Sequence, residues 1–135
     1  MNNPSREEIK KILDTAKTIA VIGLSPNPER TSFMVSEAMQ QAGYRIIPVN
    51  PQADEILGEK SYASLTDIPH PVDIVNVFRR SEFLKGIAEE FLKIDCPVFW
   101  TQLNVVDEDV FKQLSEAGHT VIMDRCIKVE HAILK

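Results

Sequence analysis

Five apolar runs recur along the chain, at residues 18–24, 45–49, 73–78, 97–101 and 120–123. Most are continuous rather than alternating in hydrophobicity, the pattern of strands covered on both faces. Between them the apolar positions return at helical spacing over residues 32–42, 81–94 and 107–117, with a leading helix at 5–16 and a closing one near 127–134. Gly43 and Gly118 stand where two of these helices should end. In the third helix Phe83, Ile87, Phe91 and Ile94 form a stripe that predicts a core-facing side. Residues 52–71 interrupt the alternation with Gly58, Pro69 and Pro71, so a long crossover with short pieces at 59–63 and 64–68 is expected.

Strands alternating with helices predict an α/β fold with a parallel sheet. Because βαβ crossovers are right-handed, the expected architecture is Rossmann-like. It is an open five-stranded parallel sheet in the order 3-2-1-4-5, with helices on both faces. The length of 135 residues suits a single domain spanning residues 1–135, and 44% apolar with 26% charged residues can fill its core. Sheets of this kind bind ligands beyond the carboxyl ends of their strands, near the switch point between strands 1 and 4.

Charge narrows the partners. Lys and Arg number 15 against 20 Asp and Glu, a net charge of −5, so neither nucleic acid nor an anionic membrane surface is expected as a partner. No apolar run reaches transmembrane length and the first residues are polar, which predicts a cytoplasmic protein. Cys96 and Cys126 are too few for a disulfide scaffold, and the scattered His70, His119 and His131 offer no metal-binding spacing.

The candidate chemistry lies at the strand ends. Strand 1 runs into Gly23, Leu24, Ser25, Pro26, Asn27, Pro28, Glu29, Arg30 and Thr31 before its helix. A glycine there lets backbone approach a phosphate, and the helix start offers N–H groups and a partial positive charge. Two prolines replace the further glycines of a dinucleotide fingerprint, so an ordinary tight turn is the competing reading. No acid occurs from Ala38 through Ala53, where dinucleotide enzymes hold the ribose, and this places an NAD(P)-linked oxidoreductase or redox-sensing domain second. Arg30, Arg79 with Arg80, and Arg125 each precede a predicted helix, where a cation is unfavourable unless an anion intervenes. Pairing with Glu29, Glu82 and Asp124 is the alternative.

Several blocks in order carry a family resemblance: Gly23-Leu24-Ser25, Arg30-Thr31-Ser32, Tyr44, Pro48-Val49-Asn50-Pro51, Leu57-Gly58, Val72 to Val75, Val77-Phe78-Arg79-Arg80 and Met123 to Lys128. From about Lys17 to His131 the chain resembles the small stand-alone bacterial CoA-binding proteins, similar in fold to the N-terminal CoA-binding domain of the succinyl-CoA synthetase alpha subunit. The resemblance implies coenzyme A or an acyl-CoA as the ligand. Gly23, Leu24, Ser25 and Asn27 would line the diphosphate, and Val49, Asn50 and Pro51 the adenosine. Phe78, Arg79 and Arg80, then Trp100, Thr101 and Gln102, would follow along the cleft. Ala53 stands where the synthetase pattern has a lysine, so the charge for the 3′-phosphate falls to Arg30, Arg79 or Arg80. The sequence to Lys135 holds no phosphohistidine domain, and ligase activity is not implied.

Cys126, between Arg125 and Lys128, is a candidate for thiol exchange with CoA, with simple packing as its alternative. Trp100 beside Phe99 reads first as core, second as a cover for adenine or pantetheine. No nucleophile with a positioned base is apparent, so no catalytic residue is assigned. The expected role is a CoA carrier, sensor or accessory protein, with a protein partner left open.

Overall fold

The computed structural model describes residues 1–134. Its elements run α1 (Arg6–Thr15), β1 (Thr18–Ile22), α2 (Thr31–Gln41), β2 (Arg45–Val49), β3 (Glu55–Ile56), β4 (Glu59–Lys60), β5 (Ile74–Val77), α3 (Leu84–Phe91), β6 (Val98–Thr101), α4 (Glu108–Glu116), β7 (Thr120–Ile122) and α5 (Ile127–Leu134). Local chemistry sets several boundaries. The Ser5 side chain accepts the Glu8 N–H at the start of α1, and Asp107 accepts the Val110 N–H at 3.1 Å at the start of α4. Gly43 and Gly118 follow α2 and α4 with φ of 107° and 95°, the helix-ending geometry expected of them. No helix among the described residues is long and apolar enough to cross a membrane.

The five long strands form one parallel sheet in the order β2-β1-β5-β6-β7. Side chains alternate between its faces. Ala20, Ile47, Val75, Phe99 and Val121 pack with α3 and α4 residues, whereas Ile19, Ile46, Ile74, Trp100 and Ile122 pack with those of α1, α2 and α5. Helices therefore cover both faces, as expected.

The strand order departs from expectation. Counting only the long strands in chain order it is 2-1-3-4-5, not 3-2-1-4-5, because the third long strand, β5, lies on the other side of β1 from β2. Asp73 holds it there: its Oδ2 accepts the Lys17 and Thr18 N–H groups at 2.7 and 3.0 Å, and its own N–H donates to Thr18 Oγ1. The outer side of β2 is instead met by the crossover, through one parallel bridge between Val49 and Tyr62. Arg45 N–H and Val49 C=O face β1, so the alternate residue Pro48 faces outward, where its carbonyl accepts the Tyr62 N–H but its ring nitrogen can donate nothing. A full strand cannot be laddered along that edge.

The Phe83 to Ile94 stripe is also modified. Ser81–Phe83 form a single 3₁₀ turn before α3. That rotates Phe83 out of the core to 37% exposure, while Ile87 and Phe91 remain buried.

Candidate functional site

The carboxyl ends of β2, β1, β5 and β6 open into three adjoining clefts. The first, about 410 Å³, is lined by Gly23, Val49, Asn50, Pro51, Arg79 and Glu90 among others. The second, about 460 Å³, is lined by Gly23, Ser25, Glu29, Arg30, Thr31, Ser32 and Phe78. The third, about 440 Å³, includes Phe78, Arg79, Arg80, Ser81, Gln102 and Leu103. Gly23, Phe78 and Arg79 are each shared by two clefts, so the three meet at this point.

Gly23 makes the junction possible. Its φ is +83° and its N–H donates to the Val49 carbonyl at 3.1 Å. A Cβ would lie 3.0 Å from the Phe78 carbonyl oxygen and 3.1 Å from Arg79 Cδ, so only bare backbone fits. The loop that follows spends its own N–H groups internally. Ser25 N–H donates to Ser32 Oγ, Asn27 N–H to Ser25 Oγ and Glu29 N–H to Asn27 Oδ1, at 3.0 to 3.1 Å. These bonds, with the two prolines, give the loop one shape before any ligand arrives. Thr31 and Ser32 bring the first turn of α2, with its unpaired N–H groups and partial positive charge, to the second cleft. Asn50 ties the neighbouring strand end to the loop, donating from Nδ2 to the Leu24 carbonyl at 3.0 Å and accepting the Gln52 N–H.

The arginines divide into two kinds. Arg80 Nε lies 3.0 Å from a Glu82 carboxylate oxygen, and Arg125 donates to the Asp124 carbonyl. Arg30 and Arg79 have no carboxylate within salt-bridge distance among the described residues. The Arg79 guanidinium instead lies over the Phe83 ring at 4.2 Å, its stem against Gly23. The two cations without a carboxylate partner thus flank the junction.

The wall of the third cleft is braced from two sides. Asn104 N–H donates to Asp124 Oδ1 at 2.7 Å, and Val106 N–H to Ser81 Oγ at 2.8 Å. Asn104 and Asp124 both take left-handed backbone, φ 66° and 62°, and Leu103 is held 50% exposed between these anchors.

Of the sequence candidates, Gly23, Ser25, Arg30, Thr31, Val49, Asn50, Pro51, Phe78, Arg79, Arg80 and Gln102 line the clefts, and Asn27 stands in the loop beside them. Five other candidates do not line them. Leu24 is enclosed in the core. Trp100 is 0% exposed, faces the α1, α2 and α5 layer and donates from Nε1 to the Arg125 carbonyl at 2.9 Å, leaving no ring face for a ligand. Thr101 is equally enclosed, its Oγ1 donating to the Val105 carbonyl at 2.6 Å. Cys126 is 8% exposed and packs in the same cluster as Trp100, and Lys128 is exposed on α5 and lines none of the three clefts. Cys96 lies beyond the amino end of β6, where burial pushes its thiol up to about 12.

Sequence reasoning missed Glu90. It arrives from the last turn of α3, and its Oε1 accepts the Leu65 N–H. The only signal was its position one turn beyond Ile87, at the border of the apolar stripe.

Known proteins resemble this chain at two scales. It is 62% identical to the uncharacterized protein YneT of Bacillus subtilis (strain 168) over 135 residues, 100% of both chains. The structure of cell-free ID.343 from Thermus thermophilus superposes with a TM-score of 0.94 at 39% identity, covering 98% of this chain and 100% of that one. The ADP-forming acetate–CoA ligase II of Archaeoglobus fulgidus is 43% identical over 76 residues, which is 55% of this chain and 11% of the ligase. The match therefore spans about a tenth of that enzyme. The CoA binding domain pattern covers residues 17–132, and the chain belongs to that family.

Proposed function

We propose that residues 1–135 act as one domain that binds coenzyme A or an acyl-CoA along the carboxyl edge of the sheet. Its role would be that of a carrier, sensor or accessory protein without catalysis of its own. The observation that carries this reading is the bare backbone at Gly23, set between two arginines without carboxylate partners where three clefts meet. A diphosphate at that junction would meet the first turn of α2 and Arg30, compensating the cation that precedes the helix. The adenosine would extend into the cleft of Val49, Asn50 and Pro51, and the pantetheine arm toward Phe78 and Gln102. Arg79 lines both of these clefts, which supports it over Arg30 and Arg80 as the residue that would hold the 3′-phosphate. Two hydroxyls on the clefts, Ser32 and Ser81, already accept backbone N–H groups, which suits a binding wall better than a nucleophile.

Isothermal calorimetry with CoA, dephospho-CoA and NADH tests the assignment. CoA should bind at least about tenfold more tightly than dephospho-CoA, the value of one charge-assisted contact to the 3′-phosphate. Tighter binding of NADH than of CoA would overturn it in favour of a nicotinamide-linked oxidoreductase or redox sensor.

A further inference from the structure

We propose that Glu90 selects the base: its carboxylate accepts the exocyclic amine of adenine and so separates adenine nucleotides from those carrying a 6-oxopurine. This rests on the CoA reading above and adds a specificity determinant to it.

The acid that is missing after β2 is supplied to the same cleft from α3. Glu90 and Ile87, one turn apart, line the first cleft together with Val49 and Ala63. Ile87 and Val49 are 8% and 5% exposed and present the small apolar surface that the faces of a purine would cover. The carboxylate is held rather than mobile, because its Oε1 accepts the Leu65 N–H that opens the turn Leu65–Asp67. Its second oxygen accepts no hydrogen bond from the described residues, and no cation among them lies within salt-bridge distance. The cleft therefore carries a fixed, uncompensated negative group on its α3 side and a cation, Arg79, at the sheet edge.

That polarity orients the ligand. Phosphates are repelled by Glu90 and drawn toward Arg79 and the first turn of α2. The 2′-hydroxyl is no partner for the carboxylate, since it neighbours the carbon that bears the 3′-phosphate. The remaining donor on the adenosine end is the 6-amino group of the base. Hypoxanthine and guanine present an oxygen there, so a carboxylate fixed opposite the 6-position meets a second acceptor, and their N1–H reaches it only by a shift of the base along the cleft.

The test compares adenosine 3′,5′-bisphosphate with inosine 3′,5′-bisphosphate, by calorimetry on the full chain. Wild type should prefer the adenine form by at least about tenfold, the worth of a hydrogen bond to a charged group. Glu90→Gln keeps an acceptor for the Leu65 N–H and adds a donor for the 6-oxo group, so the preference should fall to within about threefold. A role confined to bracing the Leu65 turn would leave that ratio unmoved. Equal binding of the two nucleotides to wild type, or an unchanged ratio in Glu90→Gln, would overturn the assignment while leaving the CoA reading standing. Failure of CoA itself to bind wild type would overturn both.

Discussion

Replacing Gly23 by alanine tests the junction on which the site depends. The φ of +83° places a side chain in the left-handed region, at about 1–2 kcal/mol for an L-residue. About 0.4–1 kcal/mol of that is recovered because alanine loses less freedom on folding. The new Cβ also meets the Phe78 carbonyl oxygen at 3.0 Å, and this neighbour is backbone bonded into the sheet through its own N–H to the Ile22 carbonyl, so it cannot simply rotate away. Forced shifts of this kind cost about 1–3 kcal/mol. The expected destabilisation is roughly 2–4 kcal/mol, readable as a lower urea midpoint at unchanged slope. Binding should suffer separately, because the methyl group occupies the point where the clefts meet. At a temperature where the variant is fully folded, calorimetry should show CoA affinity reduced at least about tenfold. A Gly23→Ala protein within about 0.5 kcal/mol of wild type that binds CoA with unaltered affinity would refute both the backbone geometry and the placement of the ligand.

The paired and unpaired arginines should separate in a binding assay. Arg79→Ala and Arg30→Ala are expected to weaken CoA by about 10- to 150-fold, the loss of a charge-assisted hydrogen bond, whereas Arg80→Ala, already engaged by Glu82, should stay within about threefold. An equal loss in all three would show that the clefts sense only net charge. Alkaline stability reports on Cys96, whose thiol burial raises from an ordinary 9.0 to about 12. In that window the unfolded chain gives up the proton and the folded chain keeps it, so stability is complete below the lower value and declines as pH rises. From pH 9 to 10 the decline should be about 1 kcal/mol in urea titrations, and Cys96→Ala should show a shallower slope. An identical slope in the variant would contradict burial as the cause.

What could be read from the residues alone follows a physical division. Strands and helices were legible because burial writes itself into hydrophobic runs, and because Ser5, Asp107, Gly43 and Gly118 mark boundaries through bonds and backbone angles that are local. Gly23, Arg30 and Arg79 were legible for the same reason, since Gly23 directly follows β1, Arg30 directly precedes α2 and Arg79 lies two residues past the end of β5. The order of strands is not local. A run covered on both faces says nothing about its neighbours, and only Pro48, lacking the N–H that an outer strand would need, hinted that β2 is the edge. Such runs equally conceal which way a given residue points. Trp100 therefore read as either core or ligand cover, until the register opposite Asn76 and Ile122 turned it toward the α5 layer.

Glu90 shows the other side of that division. No spacing rule connects it to the end of β2, since it enters the cleft only because α3 packs over the sheet beside the turn at Leu65, and its carboxylate closes that turn. In the proposed binding mode the phosphate end of the site is thus built from segments contiguous with the strands, and its chemistry is visible in short motifs. The base end is assembled by tertiary packing. A related chain could keep the Gly23 motif and still change its choice of base through a single substitution on α3. Reading the nucleotide preference of such a chain therefore requires identifying the residue packed against the turn after β4, not only the residues that follow β1 and β2.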